Sequence, residues 1–104
     1  MRERRKYQRK FAEIHAEIVV DDLHLQGKTI NISENGCLID VFSERAIRAG
    51  LVNRTVSLWL TWDRVIIEST ARVVRIKGNE LALEIVAIDI KDICSLKSKL
   101  AQIS

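Results

Sequence analysis

Thr55-Val56-Ser57-Leu58-Trp59-Leu60-Thr61-Trp62-Asp63-Arg64-Val65 is the stretch that decides the fold. Val56, Leu58, Leu60 and Trp62 fall on one side of an extended chain, and Ser57, Trp59 and Thr61 on the other. That strict alternation is the period of a strand with one buried face. Asp63-Arg64 is a two-residue turn, and Val65 to Ile76 supplies the returning strand of a hairpin. Lys77-Gly78-Asn79 makes the next turn, and Leu81, Leu83 and Ile85 are the inward set of the strand that follows. Trp59 and Trp62 point to opposite faces, so at most one belongs to the core and the other is a rim or partner contact.

Upstream, Ile14, Ala16, Ile18 and Val20 alternate with His15, Glu17 and Val19, which reads as a strand, although Phe11, Ile14 and Ile18 also fit a helical stripe. Asp21-Asp22 is a turn, and Leu23, Leu25, Ile30 and Ile32 form a second strand that Gly27 is placed to bend or bulge. Gly36 opens a third strand through Val41. Phe42 to Arg54 is the least regular segment, with Ser43 able to cap and Gly50 to stop one helical turn. At the C-terminus Ile90, Ile93, Leu96, Leu100 and Ile103 recur at helical spacing. Asp89 is placed to cap this helix and Asp92 to favour its start. The expectation is a mainly β fold: a six-stranded antiparallel barrel, closed or nearly so, with a C-terminal α-helix from about residue 89.

A chain of 104 residues, 47% hydrophobic and 30% charged, is sized and composed for one globular domain. No apolar run approaches the ~20 residues of a membrane helix, and the basic start leads into Phe11-Ala12-Glu13-Ile14-His15 rather than a secretory apolar region. A cytoplasmic location is expected. Two cysteines, Cys37 and Cys94, are too few for a disulfide framework, and both read as buried thiols, with a single bridge left open.

The net charge of +3 is unevenly placed. Residues 1–10 hold Arg2, Arg4, Arg5, Lys6, Arg9 and Lys10 against Glu3, a surplus of five positive charges; the rest hold eleven Lys and Arg against thirteen Asp and Glu. Residues 1–10 are therefore expected to be a flexible basic arm on a single domain spanning 11–104, since like charges repel and little apolar surface anchors them. Such an arm suits a phosphate-bearing partner, with anionic lipid or nucleic acid as less specific options, or is a solvated terminus.

Arg5-Lys6-Tyr7-Gln8-Arg9 followed by Asn31-Ile32-Ser33-Glu34-Asn35-Gly36 resembles the two-part signature of PilZ domains, RxxxR and (D/N)xSxxG. The order of the two halves, the strand and turn between them, and the barrel with its terminal helix also resemble that family across essentially the whole chain. The resemblance implies a receptor for the bacterial second messenger cyclic di-GMP, with no other cofactor and with a downstream protein partner that the sequence does not name. It implies that Arg5 and Arg9 take guanine and phosphate contacts, that Asn31 bonds a guanine edge, that Ser33 lies near base and phosphate, and that Gly36 supplies a positive φ or a close approach. It also implies that Arg4, beside the first motif arginine, bears on how many ligand molecules are held. Arginine suits this ligand because its planar fork grips a phosphate or guanine O6 and N7, and its flat face stacks on a base. Asn31 and Ser33 as plain turn residues and Gly36 as a bulge glycine remain the structural alternative.

Other chemistries find less support. His15 and His24 lack partners at ligand spacing and read as sheet residues. A nucleophile elbow, a phosphate-cradling glycine loop and an HExxH are all missing from the sequence, so a non-enzymatic role is expected. A nucleic-acid-binding module using the arm, or an adaptor of the same shape without ligand, are the alternatives to a ligand receptor.

Overall fold

The structure, a computed structural model, describes residues 10–11, 13–42 and 50–103. Its elements are β1 (Lys10–Phe11), β2 (His15–Val20), β3 (Leu23–Ile32), β4 (Gly36–Val41), β5 (Thr55–Trp62), β6 (Val65–Lys77), β7 (Glu80–Ile88) and α1 (Ile90–Ala101). All pairings are antiparallel and follow the order β3-β2-β5-β6-β7-β4, and β4 pairs back onto β3. Six strands thus close into a barrel without a free edge, and the two-residue β1 is added to the far end of β3.

The barrel forms because alternate residues of each strand share one side. Along β5, Val56, Leu58 and Leu60 are buried while Thr55, Ser57, Trp59 and Thr61 are exposed. Asp63 and Arg64 both have positive φ, 50° and 69°, as a two-residue turn matched to the strand twist requires. With Ile18, Ile39, Ile67, Val73 and Leu81 the inward sets make one core.

β3 departs from the expected pattern. Its buried residues are Leu25, Gly27 and Thr29, then Ile32, and its register against β4 slips between Thr29 and Asn31. The bulge lies at Ile30, not at Gly27. Gly27 instead sits where a β-carbon would strike the Asp40 carbonyl, so it serves close strand packing. The extra residue switches which parity faces the core. Without it Asn31 would continue the buried series 25, 27, 29; with it Ile32 turns in and Asn31 turns away.

α1 closes one barrel end. Leu96 and Leu100 are buried and Ile93 is packed against the core. Ile90 is 81% exposed, contrary to its expected place in the stripe. At about 100° per residue it stands roughly 100° from the middle of the buried set, so the helix turns it outward. Asp89 occupies the N-cap position but makes no side-chain cap bond. Asp92 is buried and accepts the backbone N–H of Glu68 at 3.2 Å, which ties the helix to β6. Cys37 is buried, but Cys94 is exposed because it lies on the solvent side of α1. The proposed helical turn capped by Ser43 lies outside the described residues up to Gly50, whose φ is +63°; Leu51 then returns to the core.

Candidate functional site

The segment Asn31-Ile32-Ser33-Glu34-Asn35-Gly36 joins β3 to β4, and its geometry follows from two constraints. Ser33 is buried and organises the turn: its backbone N–H donates to the Gly36 carbonyl at 2.8 Å, its hydroxyl donates to the same oxygen at 3.3 Å, and that hydroxyl accepts the Asn35 N–H at 3.2 Å. A hydroxyl has one hydrogen and two lone pairs, so one lone pair of Ser33 is left for a further donor. The Asn35 carbonyl accepts the Ile85 N–H at 2.7 Å, which anchors the turn on β7.

Gly36 pairs with Glu84, and a β-carbon here would collide with the Leu83 carbonyl. Its φ is not positive, so the glycine is required by the closeness of β7 rather than by a left-handed backbone. Asn31 is half-buried and directed off the core parity by the bulge at Ile30. It pairs with Leu38 on one side and with Phe11 of β1 on the other.

That last pairing matters most. Lys10 pairs with Ile32 and Phe11 with Asn31, so the backbone that leads out of the basic arm is laid along the motif itself. Arg9 is the next residue in the chain, and Arg5 stands four residues further back, at most about 13–14 Å of extended chain. Arg4, Arg5 and Arg9, and the expected flexibility of residues 1–9, lie outside the described residues; Lys10 is already in a strand. Asn31, Ser33 and Gly36 are brought together on one turn.

Sequence reading missed two features of this region. From the sequence Lys10 counts only as part of the arm, since a two-residue strand has no period to read. Lys97 of α1 approaches Glu34 of the turn to 3.8 Å, a contact between residues far apart in sequence that carries no local signal. The histidines behave as sheet residues: both are exposed, and His24 Nδ1 lies 3.2 Å from Glu17. Among the described residues no group of three or more His, Cys, Asp or Glu is arranged to hold a metal ion, and no helix is long and apolar enough to cross a membrane.

Comparison with known proteins gives a consistent picture. The Bacillus subtilis inhibitor of motility, MotI/DgrA, superposes with a TM-score of 0.75 at 19% identity over 96% of this chain, which spans 53% of MotI/DgrA. The PilZ domain of CeSA from a cellulose-synthesizing bacterium gives a TM-score of 0.75 at 15% identity, covering 91% of this chain and 99% of that domain. An uncharacterized Legionella protein gives 0.55 at 16% identity, over 92% of each chain. A search of curated proteins gives no match. The PilZ domain family model matches residues 3–102, a span that includes both the arginine arm and the turn, and the chain therefore belongs to the PilZ domain family.

Proposed function

We propose that the chain is a receptor for cyclic di-GMP, and that its role is binding rather than catalysis. The observation that supports this reading is the pairing of Lys10 and Phe11 with Ile32 and Asn31, which lays the backbone immediately after Arg9 along the motif. Arg5 and Arg9 grip phosphate and guanine from the arm side, where bidentate contacts are worth about 1–3 kcal/mol each. Asn31 offers a donor and an acceptor to a guanine edge from the barrel side. Ser33 holds the turn and keeps one lone pair for ligand, and Gly36 keeps the turn tight against β7. Binding orders the arm across the barrel, and the altered surface is what a downstream protein reads.

Salt dependence separates this reading from a nucleic-acid module. A protein that neutralises several DNA phosphates loses affinity with a log–log slope near −0.9 per phosphate. Cyclic di-GMP has two phosphates and no condensed counterion atmosphere, so its affinity should fall only mildly between 50 and 200 mM salt, on the order of a few-fold. A steep salt slope, together with tighter binding to duplex DNA than to cyclic di-GMP, would refute the receptor reading.

Arg4 adds a third guanidinium next to Arg5. Two stacked ligand molecules bring four phosphates together, and their repulsion needs nearby cations. The expected stoichiometry is two ligands per chain, with Arg4→Leu shifting it toward one while Arg5 and Arg9 contacts persist. Calorimetric titration checks this: one ligand in the parent chain, or an unchanged ratio in the variant, contradicts it.

A further inference from the structure

The barrel's outer surface carries a second feature, on the side opposite the motif. In the ring β3-β2-β5-β6-β7-β4 the motif joins β3 and β4, and the β5–β6 pair lies across from it. There Trp59 is 39% exposed, between Glu17 of β2 and Glu68 of β6, its direct cross-strand neighbours. One step along, Thr61 pairs with Ile66, which is 63% exposed, so an aromatic and an aliphatic side chain sit on one diagonal within reach of each other. Beside this apolar pair a cavity of about 200 Å³ is lined by Ser57, Glu68, Thr70, Asp89 and Asp92 among others. Among the described residues that lining holds three carboxylates and no Lys or Arg.

A tryptophan and an isoleucine standing in water cost free energy, and barrel closure does not require them there, because Val56, Leu58 and Leu60 already fill the inward side of β5. Exposed aromatic residues beside aliphatic ones mark docking surfaces. The charge beside them states what docks. Glu68 and Asp89 favour a cation, with Glu17 and Asp92, already met by His24 and by the Glu68 N–H, adding to the negative field, and an indole face favours a cation too. The cavity is sized for one long side chain, not for a nucleotide.

We propose that this face, centred on Trp59, docks a basic segment of a partner protein, which places a Lys or Arg side chain beside Glu68 and its apolar flanks on Trp59 and Ile66. Arginine is the better fit, since its planar group both stacks on indole and forks onto carboxylates. The site does not depend on the messenger reading. It lies across the barrel from the motif, so partner and messenger can be held together. α1 touches both regions, through Asp92 to the Glu68 N–H and through Lys97 to Glu34.

The test uses the full chain and two fluorescein-labelled peptides, one presenting Leu-Arg-Leu in a Gly/Ser context and one presenting Leu-Glu-Leu, read by fluorescence anisotropy. The Arg peptide should bind at least tenfold more tightly than the Glu peptide. Trp59→Ala and Glu68→Lys should each weaken it at least tenfold, with thermal midpoints close to the parent and cyclic di-GMP titrations unchanged. Equal binding of the two peptides, no binding of the Arg peptide, or parent-like affinity in both variants would overturn the proposal. A chain with Arg2, Arg4, Arg5, Lys6 and Arg9 all replaced by Gln should bind the Arg peptide as the parent does. A tenfold gain in that variant would assign the face to the chain's own arm and likewise overturn it.

Discussion

Gly36→Ala is expected to lower the thermal midpoint by roughly 10–20 °C, corresponding to about 2–3 kcal/mol of lost stability in a domain of this size. The reason lies in the barrel, not in the ligand. A β-carbon at position 36 would meet the Leu83 carbonyl and lie 3.2 Å from the Glu84 Cα, and neither is the movable end of a side chain. Relief requires β4 and β7 to part where Gly36 pairs with Glu84, and the turn bond from Ile85 N–H to the Asn35 carbonyl lies next to that point. Affinity for ligand should fall as a consequence, because Ser33 donates twice to the Gly36 carbonyl. Differential scanning calorimetry of the variant checks this. An unchanged midpoint with weakened ligand binding would show that the glycine serves ligand approach instead.

The largest effect on binding is expected from Arg5→Ala combined with Arg9→Ala. Two bidentate contacts at about 1–3 kcal/mol each predict a loss of at least about thirtyfold in affinity for cyclic di-GMP. The fold should be untouched: the described barrel and its core, from Ile14 to Leu100, contain neither residue. The thermal midpoint should stay within about 4 °C of the parent, since substitutions away from the core change stability by ~0.5 kcal/mol or less. Parent-like affinity in the folded double variant would remove the arm from the site.

Much of this architecture was legible because its signals are local. The β5–β6 hairpin is written in the alternation of Val56, Leu58 and Leu60 and in the Asp63-Arg64 turn, and β4 was expected from Gly36 to Val41, as found. The α1 stripe held for Ile93, Leu96 and Leu100. It failed for Ile90, because equal spacing by three drifts off a face that repeats every 3.6 residues. The same geometry exposes Cys94.

What was not legible depends on distant strands. Ile30 and Ile32 flank Asn31 in simple alternation, so nothing local says that Ile30 is an inserted residue; only the register against β4 reveals it. The bulge nevertheless decides the site, since it turns Asn31 away from the core. Of the two roles expected for Gly36, a positive φ and a close approach, the close approach holds, and what approaches is the backbone of β7, about fifty residues away. Asp92 was assigned to the helix start and proves also to bond the Glu68 N–H across the barrel end. The motif identified which residues gather at the turn; the reasons for their positions belong to the closed sheet.

Titration calorimetry of the full chain with cyclic di-GMP, beside GTP and linear pGpG, separates a cyclic di-GMP receptor from a general binder of guanine nucleotides. Saturable binding of cyclic di-GMP is expected, with GTP and pGpG at least tenfold weaker, because the cyclic dinucleotide presents two guanines and two phosphates in one fixed ring. No heat of binding from cyclic di-GMP, or equal affinity for all three nucleotides, would contradict it.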